Sequence, residues 1–216
     1  MGLRSALLPL AAAWCFAAPA LAQPAAEPRV EPPPAPDALD AELNVAIRLG
    51  AIFPFESADI CPGDAFCVLG SGASVGVEIE RRWPIGIGIL VAYDAWFVDS
   101  GGVFELGLAQ LVRAGMRYTF LLEQIVHPSL HVGAGALIFG DTFLVETVGG
   151  AFDVGASAEI ELSDSVVLTG GLSFWMFTTS PFTTGRDRTR RSEGAGLNLA
   201  VSAHVGLTIL ADSGGR

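Results

Sequence analysis

The run Leu43-Asn44-Val45-Ala46-Ile47-Arg48-Leu49-Gly50-Ala51-Ile52-Phe53 decides the fold. Every odd-numbered residue in it is apolar, whereas the alternate set from Glu42 through Asn44, Ala46 and Arg48 to Gly50 is small or polar. A period of two puts successive side chains on opposite faces of a strand. The run therefore predicts a strand with one apolar and one mixed face.

The same split recurs along the chain. Val75, Val77 and Ile79 oppose Ser74, Gly76, Glu78 and Glu80. Ile85 to Tyr93 alternates with Gly86, Gly88, Leu90, Ala92 and Asp94. Phe104, Leu106, Leu108, Val112, Ala114, Met116 and Tyr118 oppose Glu105, Gly107, Arg113, Gly115 and Arg117. Further segments begin at Leu130, Phe152, Val166 and Leu197, with Asp153, Glu159, Glu161, His131 and His204 on their mixed faces. Eight such segments of about 10–15 residues are the length and number a small transmembrane barrel requires.

The mixed face decides between a membrane barrel and a soluble one. A soluble, lipocalin-like lipid-binding barrel points its charge outward and needs that face dense with Lys and Glu. This chain has no Lys, and its mixed face is mostly Gly, Ala, Ser and Thr with scattered charge. Small residues suit the narrow interior of an eight-stranded barrel, which side chains fill. Charged residues make up 16% of the chain, below the ~25% of soluble domains, yet no stretch beyond the N-terminus is long and apolar enough for a spanning helix. A closed barrel is the remaining way to satisfy backbone polar groups in lipid. The expectation is an all-β, eight-stranded antiparallel up-and-down transmembrane β-barrel over 42–211.

The N-terminal part reads differently. Arg4, the apolar run Ala6–Ala18 and Ala20-Leu21-Ala22 read as a signal peptide over 1–22. Residues 23–41 are rich in Pro and Ala and read as an extended, disordered linker in the periplasm. Residues 212–216 form a short tail. With the N-terminus in the periplasm, the inner turns fall at Arg81–Pro84, Phe120–Pro128 and Leu162–Ser165. Long outer connections fall at Pro54–Gly72 and Thr178–Gly194, while those near Ser100 and at Gly140–Thr147 are brief, so no plug is expected. Interface aromatics are expected at Trp83, Tyr118 and Phe120 on the inner rim and at Phe53, Phe97, Phe104 and Phe174 on the outer rim.

The signal, the eight alternating segments and the short inner turns resemble the small outer-membrane barrels of the OmpA transmembrane domain and OmpX type. The resemblance implies insertion by the barrel-assembly machinery and contact with outer-membrane lipids and lipopolysaccharide. One departure is the last strand, which ends Leu207-Thr208-Ile209-Leu210 without the terminal aromatic common in that family.

Candidate sites are few, and none calls for a metal or other cofactor. Cys61 and Cys67 close a small loop in an oxidising compartment and are expected to form a disulfide. Arg48, Arg113 and Arg117 should point inward with Glu78, Glu80, Asp94, Glu105, Asp153, Glu159 and Glu161. Buried charges must pair, so these read as a structural ion-pair core, with a narrow small-ion path as the alternative. His204 reads as an interior filler. Ser129, His131 and Glu159 share one face and invite a test as nucleophile, base and orienter. Lipid A deacylases are barrels that use those residue types, but here the group would face inward, away from lipid. Arg186, Arg188, Arg190 and Arg191 crowd the last outer loop at the height of lipopolysaccharide phosphates, which guanidinium groups pair well. A net charge of −11 disfavours nucleic acid. The function these residues favour is a non-enzymatic barrel with a structural or surface-interaction role.

Overall fold

The computed structural model describes residues 41–57, 60–63, 65–142, 144–194 and 196–211. The expected signal peptide, the linker up to residue 40 and the tail lie outside them. The described chain is all-β: β1 (Glu42–Glu56), β2 (Gly72–Arg82), β3 (Ile87–Val98), β4 (Gly107–Thr119), β5 (Val126–Asp141), β6 (Leu144–Ser163), β7 (Val166–Phe177), the short β8 (Phe182–Thr183) and β9 (Arg190–Arg191), and β10 (Asn198–Ala211). Eight of these close a barrel in the order β1-β10-β7-β6-β5-β4-β3-β2, every neighbour antiparallel. β8 and β9 form a separate small hairpin within the last loop.

The register sets the shape. Leu43 lies opposite Arg81, then Ile89, Met116, Val132, Val154, Phe174 and Val201, and the circuit returns to β1 at Phe53. The stagger is therefore ten residues over eight strands. With a rise of ~3.3 Å per residue and ~4.8 Å between strands, that stagger tilts the strands by about 40°. Each residue then climbs about 2.5 Å along the axis, so Leu43 to Phe53 spans about 25 Å, the height of the apolar band in such barrels.

The expected faces hold. The odd-numbered residues of β1 and their register partners form an exposed apolar belt, in which Ile47, Leu49, Val91, Leu172 and Val205 are each more than half exposed. In water so large a contiguous apolar surface would drive aggregation. At the short-turn end the strands are joined by tight connections. Between β2 and β3, the Trp83 amide donates to the Ile87 carbonyl and the Gly86 amide to the Trp83 carbonyl. Gly86 takes a φ of 83°, and a Cβ there would lie 2.3 Å from the Thr119 carbonyl oxygen, so the turn needs glycine.

The opposite end departs from expectation in one respect. Ile60, Val68, Leu69, Val103, Phe104 and Phe182 come in from three connections, one of them the brief one near Ser100, and pack on the inward-facing ends of the strands. They form a hydrophobic stopper in the barrel mouth, where no plug was expected. Loop length alone did not reveal it, because the sealing residues are spread over three connections.

Candidate functional site

The interior has two layers. The part of the lumen nearer the short turns holds Arg48, Arg82, Arg113 and Arg117 with Glu78, Glu80, Asp94, Asp153 and Glu159, none more than 8% exposed. Glu78 is the hub: its carboxylate lies 3.0 Å from Arg48, 3.3 Å from Arg113 and 2.6 Å from Arg117. Arg48 and Arg113 also reach Asp94, at 2.9 and 3.4 Å. Arg117 reaches Glu80 at 2.7 Å, and Arg82 bridges Glu80 at 2.9 Å and Glu159 at 2.8 Å. Arg113 approaches Asp153 at 3.3 Å. Long side chains find room because the strands opposite carry glycine: a Cβ on Gly76 would strike the Asp94 carboxylate at 2.2 Å, and one on Gly88 the Glu80 carboxylate at 2.0 Å.

Two expected members are not in this network. Glu105 is exposed in the loop before β4, because that strand starts only at Gly107. Glu161 sits past the end of the lumen on β6, exposed and 3.6 Å from His127 Nε2. In their place stands Arg82, which ends β2 rather than lying in the turn expected at Arg81–Pro84. Its parity with Glu78 and Glu80 was the available signal.

Above the ions lies an apolar layer. Trp96 and Trp175 meet edge to face at 5.0 Å, and Trp96 meets Phe177 at 6.1 Å. The Trp175 indole donates to the Ser202 hydroxyl at 2.9 Å, and its ring receives the Arg113 guanidinium at 5.5 Å. A void of about 10 Å³, the size of one water, lies between Arg48, Asp94, Trp96, Ser173, Trp175 and His204. His204 thus lines the lumen, as expected of an interior filler. At the short-turn mouth the lumen opens into a cavity of about 410 Å³ lined by Glu42, Arg82, Trp83, His127, Glu159 and Asp164 among others.

Ser129, His131 and Glu159 do not assemble. Ser129 pairs with Ser157 at 2.7 Å, and Glu159 is held by Arg82. His131 instead has one nitrogen, Nε2, 3.2 Å from both Asp153 and Ser173, while Nδ1 has no partner. A relay needs the two ring nitrogens on different groups, so this arrangement does not form one.

At the long-loop end Cys61 and Cys67 are joined in a disulfide. Arg191, expected as a free lipopolysaccharide contact, is instead fully buried. Its guanidinium donates to the Ile60 carbonyl at 2.9 Å and to Asp187 at 2.6 Å, clipping the β8–β9 hairpin onto the disulfide loop. Arg186, Arg188 and Arg190 are exposed, Arg190 lying 3.1 Å from Glu193. Of the aromatics, Phe53, Phe97, Tyr118 and Phe120 face outward, Tyr118 and Phe120 meeting at 4.6 Å. Phe174 is half-buried beside Phe55, and Trp83 lines the short-turn mouth. Phe104 is a correction: it is buried against Phe139 in the stopper, because it lies in the loop before β4, where outward alternation has not begun.

Asp187 is tuned by this clip. Slight burial pushes its pKa up, but the Thr184 hydroxyl, the Thr189 amide and the Arg191 charge outweigh that and hold it below its ordinary 3.8. A depressed carboxylate stabilises the fold above its unfolded pKa and loses that contribution as pH falls through the folded value. The hairpin should therefore stay equally protected from proteolysis between neutral pH and about pH 4, and loosen only below that. Asp187→Asn should remove this acid step; an unchanged step in the variant would assign it elsewhere.

A closed eight-stranded barrel with an apolar exterior and an ion-paired interior is the fold of the small transmembrane β-barrels of outer membranes. Among solved structures, the chain is similar to Neisserial surface protein A, with 13% identity and a TM-score of 0.55 over 77% of this chain and 96% of that one. The N-terminal β-barrel domain of Pseudomonas aeruginosa OprF (11% identity, TM-score 0.46, 79% and 99% covered) and the outer membrane protein AlkL (12%, 0.47, 86% and 97%) overlap more loosely. At these identities the likeness is one of fold alone. No family model matches the chain. No curated protein matches it either.

Proposed function

We propose that the protein is a non-enzymatic barrel of the outer membrane with a structural or surface-interaction role. The observation that carries this is a lumen closed twice, by paired ions in one layer and by packed aromatics in the next, inside an apolar belt. In this reading the short turns face the periplasm, the barrel-assembly machinery inserts the chain, and the stoppered end faces outward. Arg186, Arg188 and Arg190 are then placed to meet lipopolysaccharide phosphates. A small-ion path would need a continuous polar channel, and the Trp96–Trp175 layer interrupts it.

The test is made on the mature protein. It should fractionate with the outer membrane, run faster on SDS gels unboiled than boiled, and give no unitary conductance in planar bilayers. A boiling-independent band from the soluble periplasm would overturn the membrane reading. Steady ion-conducting steps would overturn the closed lumen.

A further inference from the structure

The short-turn end is not uniform around its rim. On one side the turns are apolar. The β2–β3 turn carries Ile85, and the β4–β5 connection carries Leu121, Leu122 and Ile125; Ile85, Leu121 and Ile125 are 68%, 54% and 72% exposed. The two turns touch: the Thr119 amide donates to the Gly86 carbonyl at 2.8 Å, and a Cβ on Gly86 would stand 3.6 Å from Leu122 Cδ1. Leu121 holds a φ of 54°, a left-handed conformation that suits glycine or asparagine better than leucine. Glu123 and Gln124, at the tip, are the polar exceptions. On the other side the β6–β7 turn reads Glu161-Leu162-Ser163-Asp164-Ser165, all exposed, with Leu162 its one large apolar residue. Height does not separate the two sides. Ile87 lies opposite Tyr118, then Leu130, Ala156 and Leu172. Those steps are half the circuit and climb half of its ten-residue stagger, so Val167 is level with Ile87, and Ser165 with Ile85.

We infer that the β2–β3 and β4–β5 turns are seated in the headgroup layer of a phospholipid leaflet, while the β6–β7 turn at the same height stands in water. The exposed apolar surface of the belt runs into these turns without a break. Ile89 leads to Ile85 at one strand end, and Met116, Tyr118 and Phe120 lead to Leu121 at the other. Aromatic rings such as the Tyr118–Phe120 pair favour a bilayer interface. Arg81 is exposed on the outward face, opposite Leu43 on one neighbour and Ile89 on the other. Its stem can lie along such apolar side chains while its guanidinium meets a lipid phosphate. Burial in the leaflet also removes Ile85, Leu121 and Ile125 from water, which stabilises the seated state. The leaflet surface therefore meets the barrel along a slanted line, reaching further over the turns beside β3 and β4 than over the turn at β7. The inference rests on the membrane reading proposed above.

The experiment uses the mature barrel, its disulfide intact, in nanodiscs of phosphatidylcholine and phosphatidylglycerol. Ile85→Cys, Ile125→Cys, Ser165→Cys and the belt control Val91→Cys are each spin-labelled, and folding is checked by unboiled migration. All four positions are exposed and lie outside the lumen. Electron paramagnetic resonance reads collisions with oxygen, which concentrates in lipid, and with a neutral nickel chelate, which stays in water. The oxygen-to-nickel collision ratio should be several-fold higher at Ile85→Cys and Ile125→Cys than at Ser165→Cys. Equal ratios at the three turn positions, or nickel access at Ile85→Cys and Ile125→Cys matching that of Ser165→Cys, would overturn the inference and leave the apolar turns open to a protein partner instead. Val91→Cys keeps this failure apart from that of the membrane reading. Its label should be shielded from nickel whichever way the turns behave, and nickel access there would overturn both.

Discussion

Glu78→Ala should lose about 3–5 kcal/mol of unfolding free energy in detergent or lipid, the largest effect of any single charge removal in this barrel. The carboxylate serves Arg48, Arg113 and Arg117 at once, and at 2% exposure no water replaces it. Its removal leaves three guanidinium groups crowded together. Asp94 and Glu80 still hold them, but their full compensation is gone. Replacing a buried pair with apolar groups can be neutral, whereas removing one partner is not. Denaturant unfolding followed by the unboiled gel shift reads the difference. Glu78→Gln, which keeps the shape and drops the charge, should fall nearly as far. A loss below about 1 kcal/mol in both variants would mean that the pairs behave as solvated surface bridges.

Trp96→Ala should cost a similar amount, about 3–5 kcal/mol, for a different reason. Trp96 is 1% exposed and packs edge to face on both Trp175 and Phe177. Truncation removes its transfer energy and leaves a cavity that the rigid strands around it cannot close. Trp96→Phe should recover part of the loss. Near-wild-type stability in Trp96→Ala would show that the aromatic layer is loosely packed.

Much of this architecture is written in a period of two. The alternation from Leu43 to Phe53 places Arg48 inside and Ile47 outside, and both lie where that pattern puts them. The same parity reaches Trp96 from Asp94 and Trp175 from Ser173, so the aromatic layer is legible in the alternation once the strands are extended by two residues. Misreadings cluster where strands end. The alternation gives faces to Glu105 and Phe104 two and three residues before β4 begins, and to Glu161 two residues after the lumen has opened. Arg82 is the opposite case, since β2 runs on into the Arg81-Arg82-Trp83-Pro84 stretch that reads as a turn. Arg191 had no periodic signal, because its burial is decided by Ile60 and Asp187, 131 and 4 residues away. Parity is local and survives in sequence; contacts between loops are not.

The two-layered lumen also gives the barrel a sidedness that its belt lacks. Its guanidinium–carboxylate lattice meets the open mouth beside Arg82 and Glu159, while packed apolar side chains cover the other end. Among the described residues the molecule is thus a blind vessel, open at the short-turn end and stoppered at the other. Among the described residues, a water-borne arginine reagent supplied to the stoppered side meets packed apolar side chains before Arg82 or Arg117, whereas the same reagent in the opposite compartment enters a cavity that Arg82 itself lines.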